Sequence, residues 1–423
     1  MKYDIIIVGA GAAGLCAAYV ASCANIELKI AVLERQSVCG RKLSASGNGK
    51  GNLTNADFQS ECYHSFEQKD IEQWVQQHSH KEIVSFFDQI GIPLYEKNGY
   101  YYPISNQAKQ VTGLLVDKCR KNGVSFIMNT EVTDVGRKSN RDNCYVITDA
   151  EGNTYEGSSV ILSTGGAAAP KLGGSQSGYQ LARGLKHSIS PIRSVLCPIY
   201  VEDPLLKLAK GVRLDGAVTL LGADGVIARE SGQIQWNEDN LSGIVIMNLS
   251  CYLPYQTQEM ELHIDLLPDH SWNALKTYLK QQCDRNPKQT IQTLLLGIFP
   301  SAMVQYLLRR LCVKESLTGQ EISEKHLNRI TSNIKKLSFC PLSKEDYEKA
   351  QVTSGGVRLS EIDLTTMESR QDQDIYLVGE LLDVNGCCGG YNLTFAMLSG
   401  MQAANAIIEK KVSGGRYDRD SWN

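Results

Sequence analysis

Tyr3-Asp4-Ile5-Ile6-Ile7-Val8-Gly9-Ala10-Gly11-Ala12-Ala13-Gly14 is an apolar run that breaks into three glycines spaced GxGxxG. A second apolar run, Leu28 to Leu33, closes on an acid, Glu34. The order is strand, glycine-rich turn, helix, strand, acid. It reads as a βαβ unit that holds the adenosine half of a dinucleotide. Gly9 permits a tight turn because it lacks a Cβ. Gly11 lets the backbone approach a pyrophosphate, and Gly14 lets the helix lie against the strand. Ala12 and Ala13 open that helix, whose first N–H groups and dipole suit phosphate. Glu34 is placed to accept hydrogen bonds from ribose hydroxyls. An acid there disfavours a 2′-phosphate, so FAD or NAD is expected at this turn rather than NADP. The glycine triplet alone recurs by chance; the strand before it and the acid after it give it meaning.

The 423 residues suggest two or three domains, and 42% hydrophobic content supports a large core. Net charge is −3, from 43 basic and 46 acidic residues, which gives no general attraction to nucleic acid. No block of like charges and no low-complexity tail is present. The thirteen cysteines are scattered and odd in number. They show neither a disulfide framework nor metal-ligand spacing, so a cytoplasmic, metal-free protein is expected. Ile5 to Ala21 is apolar enough to imitate a signal peptide, but Asp4, a single Lys and the glycine register argue against one. No other apolar run is long enough to span a bilayer, so no membrane association is expected.

A helix is expected over 11–24 and a strand over Leu28 to Leu33. Arg41 to Asn55 is dense in Gly, Ser and Asn and reads as a loop. Helices follow at about 70–90 and 106–121, then a strand over Val124 to Val135. Cys144 to Ile147 and Thr154 to Ser163 read as a hairpin and return strand, with Glu151-Gly152-Asn153 at the turn. From Pro191 to about Asp265, short strands alternate with turns such as Gly222-Ala223-Asp224-Gly225, the pattern of an antiparallel barrel or sandwich. From Ser271 to about Lys336 the pattern is helical, as in the spacing of Ala274, Leu275, Tyr278 and Leu279, then of Val304, Leu307, Leu308 and Leu311. After Pro341 the glycine-rich apolar style returns, with a strand at Ile375 to Val378 and a helix over Asn392 to Ile408. The fold class expected is α/β: a Rossmann-like domain from residues 1–190 and 341–423, with 191–340 inserted as a substrate-facing domain. Within the insert, the barrel is assigned to about 191–268 plus 320–340 and a helical part to about 270–320. No internal repeat is visible.

Several further segments carry candidate contacts. Arg41 and Lys42 either bring positive charge to a pyrophosphate or are two solvated cations. Ser46, Gly47, Asn48 and Asn52 belong to a loop rich in backbone N–H groups that can lie against a planar ring; otherwise it is an ordinary loop. Thr164-Gly165-Gly166 ends a strand of the same sheet. Gly379-Glu380 follows the strand at Ile375, Asp383 comes next, and Gly389-Gly390-Tyr391-Asn392 opens the last helix. A helix N-terminus there suits the pyrimidine edge of a flavin, which gains negative charge on reduction. Arg35 and Val132 complete the expected cofactor set. A second GxGxxG is absent, so NAD(P)H, if it is the reductant, binds transiently.

At these residues the chain resembles the BaiN-type, aminoacetone-oxidase-like group of bacterial FAD-dependent flavoproteins. The resemblance rests on Val8 to Gly14 with Gly40 to Leu43 and Ser46 to Asn55, on Ser163 to Gly166 with Pro170 and Ser175 to Tyr179, and on Val352 to Val357, Glu361-Ile362, Thr366 to Ser369, Gly379 to Asp383 and Gly389 to Asn392. It implies FAD held by both chain ends, an inserted β-barrel with a helical portion, and oxidoreductase activity linked in the family to bile-acid ring reduction or amine oxidation. The chain departs from the group at Asn48-Gly49-Lys50-Gly51-Asn52, where the family has Gly-Gly-Arg-Cys-Asn, and at Asn385-Gly386-Cys387-Cys388, where Asp-Gly-Asp-Thr is frequent. Ser177 stands where Asp is common.

The activity expected is hydride transfer through flavin N5, linked to NAD(P)H, onto an unsaturated carbonyl compound of steroid or bile-acid type. The alternative is an oxygen-using amine oxidase. A dithiol enzyme using Cys387 and Cys388, an RNA-associated flavoprotein and a non-enzymatic flavin sensor are the remaining readings. A small molecule is the expected partner, with no nucleic acid and no obligate protein. No paired carboxylates or Ser/His/Asp arrangement stands out; Tyr391, Asn392 and Tyr102 are the substrate-side candidates.

Overall fold

The computed structural model describes residues 2–139, 142–256 and 258–417, and the chain divides into two compact units. The first comprises 1–194 and 347–423, of which 418–423 lie outside the described residues; the second is 195–346.

The first unit is built on five parallel strands. Strand β1 (Lys2–Val8) pairs on one side with β2 (Ile30–Glu34), which pairs with Ser125–Met128. On its other side β1 pairs with Thr154–Leu162, which pairs with Ile375–Leu377. Ile5, Ile6, Ile7, Val160, Ile161 and Leu162 are fully buried, as expected for strands covered on both faces. Antiparallel strands Val132–Ser139 and Asp142–Asp149 extend from the start of Thr154–Leu162, while Glu368–Ser369 and Ile362–Asp363 extend the sheet beyond Ile375–Leu377.

Helix α1 (Ala12–Ser22) covers one face together with the last helix, Tyr391–Tyr417. They meet where a Cβ on Gly400 would lie 2.2 Å from the Ala13 carbonyl oxygen. Only glycine permits that approach, which draws the C-terminal helix onto the N-terminal βαβ unit. The Gly379 N–H donates to Ser399 Oγ at 3.0 Å and fixes the register of the strand that precedes this helix.

In this unit three expectations change. Arg41–Ala45 is a short helix, α2, followed by a 3-10 turn over Ser46–Gly49, rather than a loop. Leu43 is buried, and Ser44 Oγ donates to Thr112 Oγ1 at 3.0 Å, so tertiary anchors order a sequence with weak local preference. The single helix expected at 70–90 is two, Gln68–Gln76 and His80–Gln89, the second started by a Ser79/Glu82 capping box. The strand expected over Val124 to Val135 breaks at Asn129, which has φ +55°, and its halves join different partners.

The second unit holds a six-stranded antiparallel sheet. Its order is Ile199–Tyr200, Asn240–Ser242, Gly225–Trp236, Arg213–Gly222, Glu261–Asp265, Leu337–Phe339. The two end strands are linked by a Val201–Pro341 bridge and by the Leu342 N–H donating to Tyr200 O at 2.8 Å. Helices Trp272–Arg285, Ile291–Leu296, Ser301–Arg310 and Glu324–Lys335 share a core with this sheet. The stretch 320–340, assigned from sequence to the barrel, is mostly helix. Leu327, Ile330, Thr331 and Ile334 are buried at helical spacing, and only Leu337–Phe339 adds a strand.

Candidate cofactor site

The turn after β1 is held by the backbone of its neighbours. Gly9 has φ +104°, and a Cβ there would lie 2.5 Å from the Ser163 carbonyl oxygen. Ser163 Oγ hydrogen bonds to the carbonyls of Val8 at 2.9 Å and Gly9 at 2.8 Å. A Cβ on Gly14 would lie 2.0 Å from the Gly9 oxygen, so Gly14 seats α1 on the turn. Gly11 differs: nothing stands within 4 Å of where its Cβ would be. Two of these glycines serve the fold, and the third faces open space at a helix N-terminus.

Glu34 ends β2 and turns back toward this helix. Its Oε2 accepts from the Ala10 N–H and its Oε1 from the Gln36 N–H, both at 2.7 Å. Each oxygen keeps a further lone pair for a hydroxyl donor. Arg35 donates to Gly173 O at 3.0 Å and pairs with Glu131 at 3.4 Å. Arg41 donates to Gln36 Oε1 at 2.7 Å and Lys171 O at 2.6 Å. Both guanidinium groups therefore bind the loop after Pro170 to the end of β2. Val132 is buried at the start of its strand, opposite Asp149.

A second group joins distant parts of the chain. Lys42 Nζ meets Glu380 Oε2 at 2.6 Å. Glu380 Oε1 accepts from the Thr353 N–H at 3.0 Å and from Thr353 Oγ1 at 3.2 Å. A Cβ on Gly166 would fall 2.1 Å from Thr353 Oγ1 and 2.6 Å from Glu380 Oε1. Gly166 thus makes room for this network, whereas Gly165, with φ +72°, has nothing within 4 Å. Gly379 has φ +67° and packs its Cα side on Ala13 and Ala396.

The third group is the turn before the last helix. Asn55 Nδ2 donates to Gly389 O at 3.1 Å, and Thr394 Oγ1 donates to Thr54 Oγ1 at 2.8 Å. A Cβ on Gly390 would be 3.0 Å from the Thr54 backbone; one on Gly389 would be 3.0 Å from the Tyr100 ring. Thr54, Asn55, Tyr100, Ser163 and Thr353 are not among the contacts expected from sequence. Thr54, Asn55, Ser163 and Thr353 lie within the segments that carry the family resemblance, and Tyr100 follows Gly99.

Two of the three substrate-side candidates are engaged by the fold. The Asn392 amide donates to Gly386 O and accepts from the Gly386 N–H, both at 2.8 Å. Tyr391 is buried, its carbonyl accepts from Tyr63 OH at 2.9 Å, and burial, then hydrogen bonding with Cys62, pushes its phenol well above the usual range. Tyr102 is partly exposed on Tyr100–Pro103; burial and then its neighbours Tyr100 and Tyr95 raise its pKa. Asp383 is fully buried, accepts from the Phe66 N–H at 3.2 Å, and burial pushes its carboxyl up to about 6.

Elsewhere, His187 Nδ1 lies 2.9 Å from Glu361 Oε2 and its Nε2 lies 2.9 Å from Ser369 Oγ, the order of a hydrolytic triad. Ser369 Oγ also accepts from the N–H groups of Gln371 and Asp372 at 3.0 Å, and the imidazole is fully buried. That oxygen is a turn-closing acceptor, not an exposed nucleophile. Among the described residues no cluster of three or more His, Cys, Asp or Glu is arranged to hold a metal, and no helix is long and apolar enough to cross a membrane.

Whether the site fits a flavin dinucleotide is tested by its polar atoms. Asn52 Oδ1 and Thr164 Oγ1 are buried and have no hydrogen-bond partner among the described residues. Leaving such groups unpaired costs about 1–3 kcal/mol each. Both belong to the expected contact set, as do the open positions at Gly11 and Gly165. The donor set of amides, hydroxyls and one helix N-terminus suits a phosphorylated, uncharged-ring cofactor rather than a metal.

Residues 3–406 match the HI0933-like protein Rossmann domain. The chain is 32% identical over 407 residues to the 3-dehydro-bile acid delta(4,6)-reductase of Clostridium scindens, covering 96% of this chain and 98% of that protein. It is 29% identical over 415 residues to the ribosomal RNA dihydrouridine synthase of Escherichia coli, covering 97% of this chain and all of that protein. Among solved structures, the fold is similar to a 3-ketosteroid-delta4-(5alpha)-dehydrogenase from Rhodococcus jostii, with a TM-score of 0.50 at 13% identity over 96% of this chain and 97% of that one. The match along almost the whole chain makes this protein a member of the HI0933-like family, the BaiN-type FAD-dependent oxidoreductases that its glycine blocks resemble.

Proposed function

We propose that the protein reduces a carbon–carbon double bond conjugated to a carbonyl in a small molecule, with FAD as cofactor and NAD(P)H as reductant. The observation that carries this reading is the pair of full-length relatives. One is named for a 3-dehydro-bile acid and the other for dihydrouridine in RNA. These substrates differ in size and polarity, yet a 4-ene beside a 3-ketone and the uracil 5,6-bond beside its 4-carbonyl present the same reactive unit. When bound, FAD would supply the hydride chemistry that reduction of such a conjugated double bond requires.

The chain's own residues bind and orient. The α1 N-terminus and Gly11 receive the pyrophosphate, and Glu34 the ribose. Asn52 and Thr164 supply polar contacts to the cofactor. The Gly389–Gly390 turn and the helix behind it face the flavin's pyrimidine edge. Lys42, Glu380 and Thr353 hold the chain ends together around it. With Asn392 and Tyr391 engaged by the fold, Tyr102 is the substrate-side hydroxyl we assign. We read the sheet and helices of residues 195–346 as the inserted barrel domain of the family.

A second reading, reduction of a uridine in RNA, is favoured by the dihydrouridine synthase relatives. The near-neutral charge balance supports the small molecule instead. Anaerobic stopped-flow on the flavin-loaded protein separates the readings. Flavin bleaching by NADH or NADPH, followed by recovery of colour with a steroid enone, supports the proposal. Recovery only with uridine-containing RNA supports the second reading. Bleaching by an amine without NAD(P)H would reverse the direction of the chemistry and sink both.

A further inference from the structure

Cys387 and Cys388 differ in their surroundings. Asn385–Gly386 pairs antiparallel with Tyr63–His64, with Asn385 opposite His64 and Gly386 opposite Tyr63. One step further the Cys387 N–H donates to the Cys62 carbonyl at 2.9 Å. Cys62 ends the 3-10 turn Ser60–Cys62 just before that strand, so the backbone hydrogen bond, and not a ladder partner, sets the two cysteines side by side. Cys387 Sγ lies 3.8 Å from His64 Nε2, so that thiol turns back over the strand that follows Cys62. Cys388 is already in the turn that leads to Gly389.

Backbones joined by such a bond bring their Cα atoms to about 5.5 Å, inside the roughly 4.4–6.8 Å range that disulfides span. Cys62 and Cys387 are both partly exposed. The contrast is Cys16 and Cys119, two neighbouring thiols that are buried in the core of the βαβ unit and beyond reach of a solution oxidant. All thirteen cysteines are thiols in the structure.

We infer that Cys62 and Cys387 are a redox pair that closes to a disulfide in the presence of a low-molecular-weight disulfide. The first thiolate attacks the oxidant's sulfur and releases one thiol; the opposed thiolate then attacks the mixed disulfide and releases the second. The two cysteines lose two protons and two electrons, and one oxidant disulfide becomes two thiols. His64 is held neutral by burial, with its pKa pushed down to about 4. It therefore sets up no thiolate–imidazolium pair, and the exchange runs at the pace of ordinary thiols rather than of a catalytic cysteine. The bond would lock the strand pair that enters the Gly389–Gly390 turn. The inference does not depend on which substrate the enzyme takes.

The test uses flavin-loaded protein incubated with oxidised glutathione, alkylated without reduction and digested with trypsin. Cleavage at Lys and Arg releases Gly51–Lys69, which holds Cys62 alone, and Gln371–Lys410, which holds Cys387 and Cys388. The expected product is a cross-link between these peptides, two hydrogens lighter than their sum, with fragment ions placing the bond at Cys387. It should persist in Cys388→Ser and vanish in Cys387→Ser. A bond within Gln371–Lys410 between Cys387 and Cys388, a cross-link placed at Cys388, or complete alkylation of Cys62 after oxidation would each overturn the inference. The wild-type digest decides the matter even where a variant fails to fold.

Discussion

Replacing Gly11 with Ala separates a cofactor role from a folding role. Gly11 has φ −78° and ψ −169°, a backbone conformation alanine adopts without strain, and no atom stands within 4 Å of the added methyl. Stability of the flavin-free protein should therefore stay within about 0.5 kcal/mol of wild type, the usual range for changes that touch nothing. A pyrophosphate drawn onto the α1 N-terminus would meet that methyl. Displacing it weakens charge-assisted N–H bonds worth about 1.5–3 kcal/mol, or roughly 10- to 150-fold in the FAD dissociation constant. The assay is urea unfolding of the apoprotein beside titration of flavin fluorescence. Unchanged FAD affinity would remove the pyrophosphate from this turn, and a collapse of apoprotein stability would refute the packing argument.

Gly14→Ala should behave oppositely. Its methyl would strike the Gly9 oxygen, which is itself pinned by Ser163, so unfolding should be easier by about 1–3 kcal/mol even without flavin. Lys42→Met leaves Glu380 with its Thr353 partners but no cation, and FAD retention in gel filtration should fall while Glu380→Gln with Lys42→Met recovers part of it. Asp383 gives a pH signature. Its folded pKa of about 6 lies above the ordinary 3.8, so the folded state holds the proton more tightly and stability falls as pH rises from about 4 to 6. Asp383→Asn should lack that loss, gaining on the order of 2–3 kcal/mol over wild type between pH 4 and pH 7 in paired urea titrations. Tyr102→Phe should lower the rate of flavin reoxidation by an enone several-fold and leave reduction by NAD(P)H unchanged in stopped-flow traces.

The parallel sheet was legible because its signals are local. Ile5 to Val8 and Leu28 to Leu33 are apolar runs ended by glycine or acid, and the returning strands at Val160 and Ile375 carry the same punctuation. The helix α2 was not legible, since Ser, Gly and Asn around Arg41 to Asn55 favour turns. Its order comes from Leu43 in the core and Ser44 on Thr112, contacts formed with a helix more than sixty residues away. Helix Glu324–Lys335 has the helical pattern read there from sequence, with buried residues at helical spacing and a Ser323 cap, although the stretch 320–340 was grouped with the barrel. Glycines were the clearest pointers to the site but did not declare their roles. Gly9, Gly14 and Gly166 make room for protein atoms, while Gly11 and Gly165 make room for none. The hydroxyls and amides that support them, such as Thr353 and Asn55, act through long-range contacts that no spacing encodes.

The most direct test of the account is amide hydrogen exchange on the apoprotein before and after one equivalent of FAD. Both chain ends are proposed to close on one flavin, so exchange should slow together at residues 9–14, at 163–166 and at 389–392. Protection confined to 9–14, with the turn before the last helix unaffected, would contradict it.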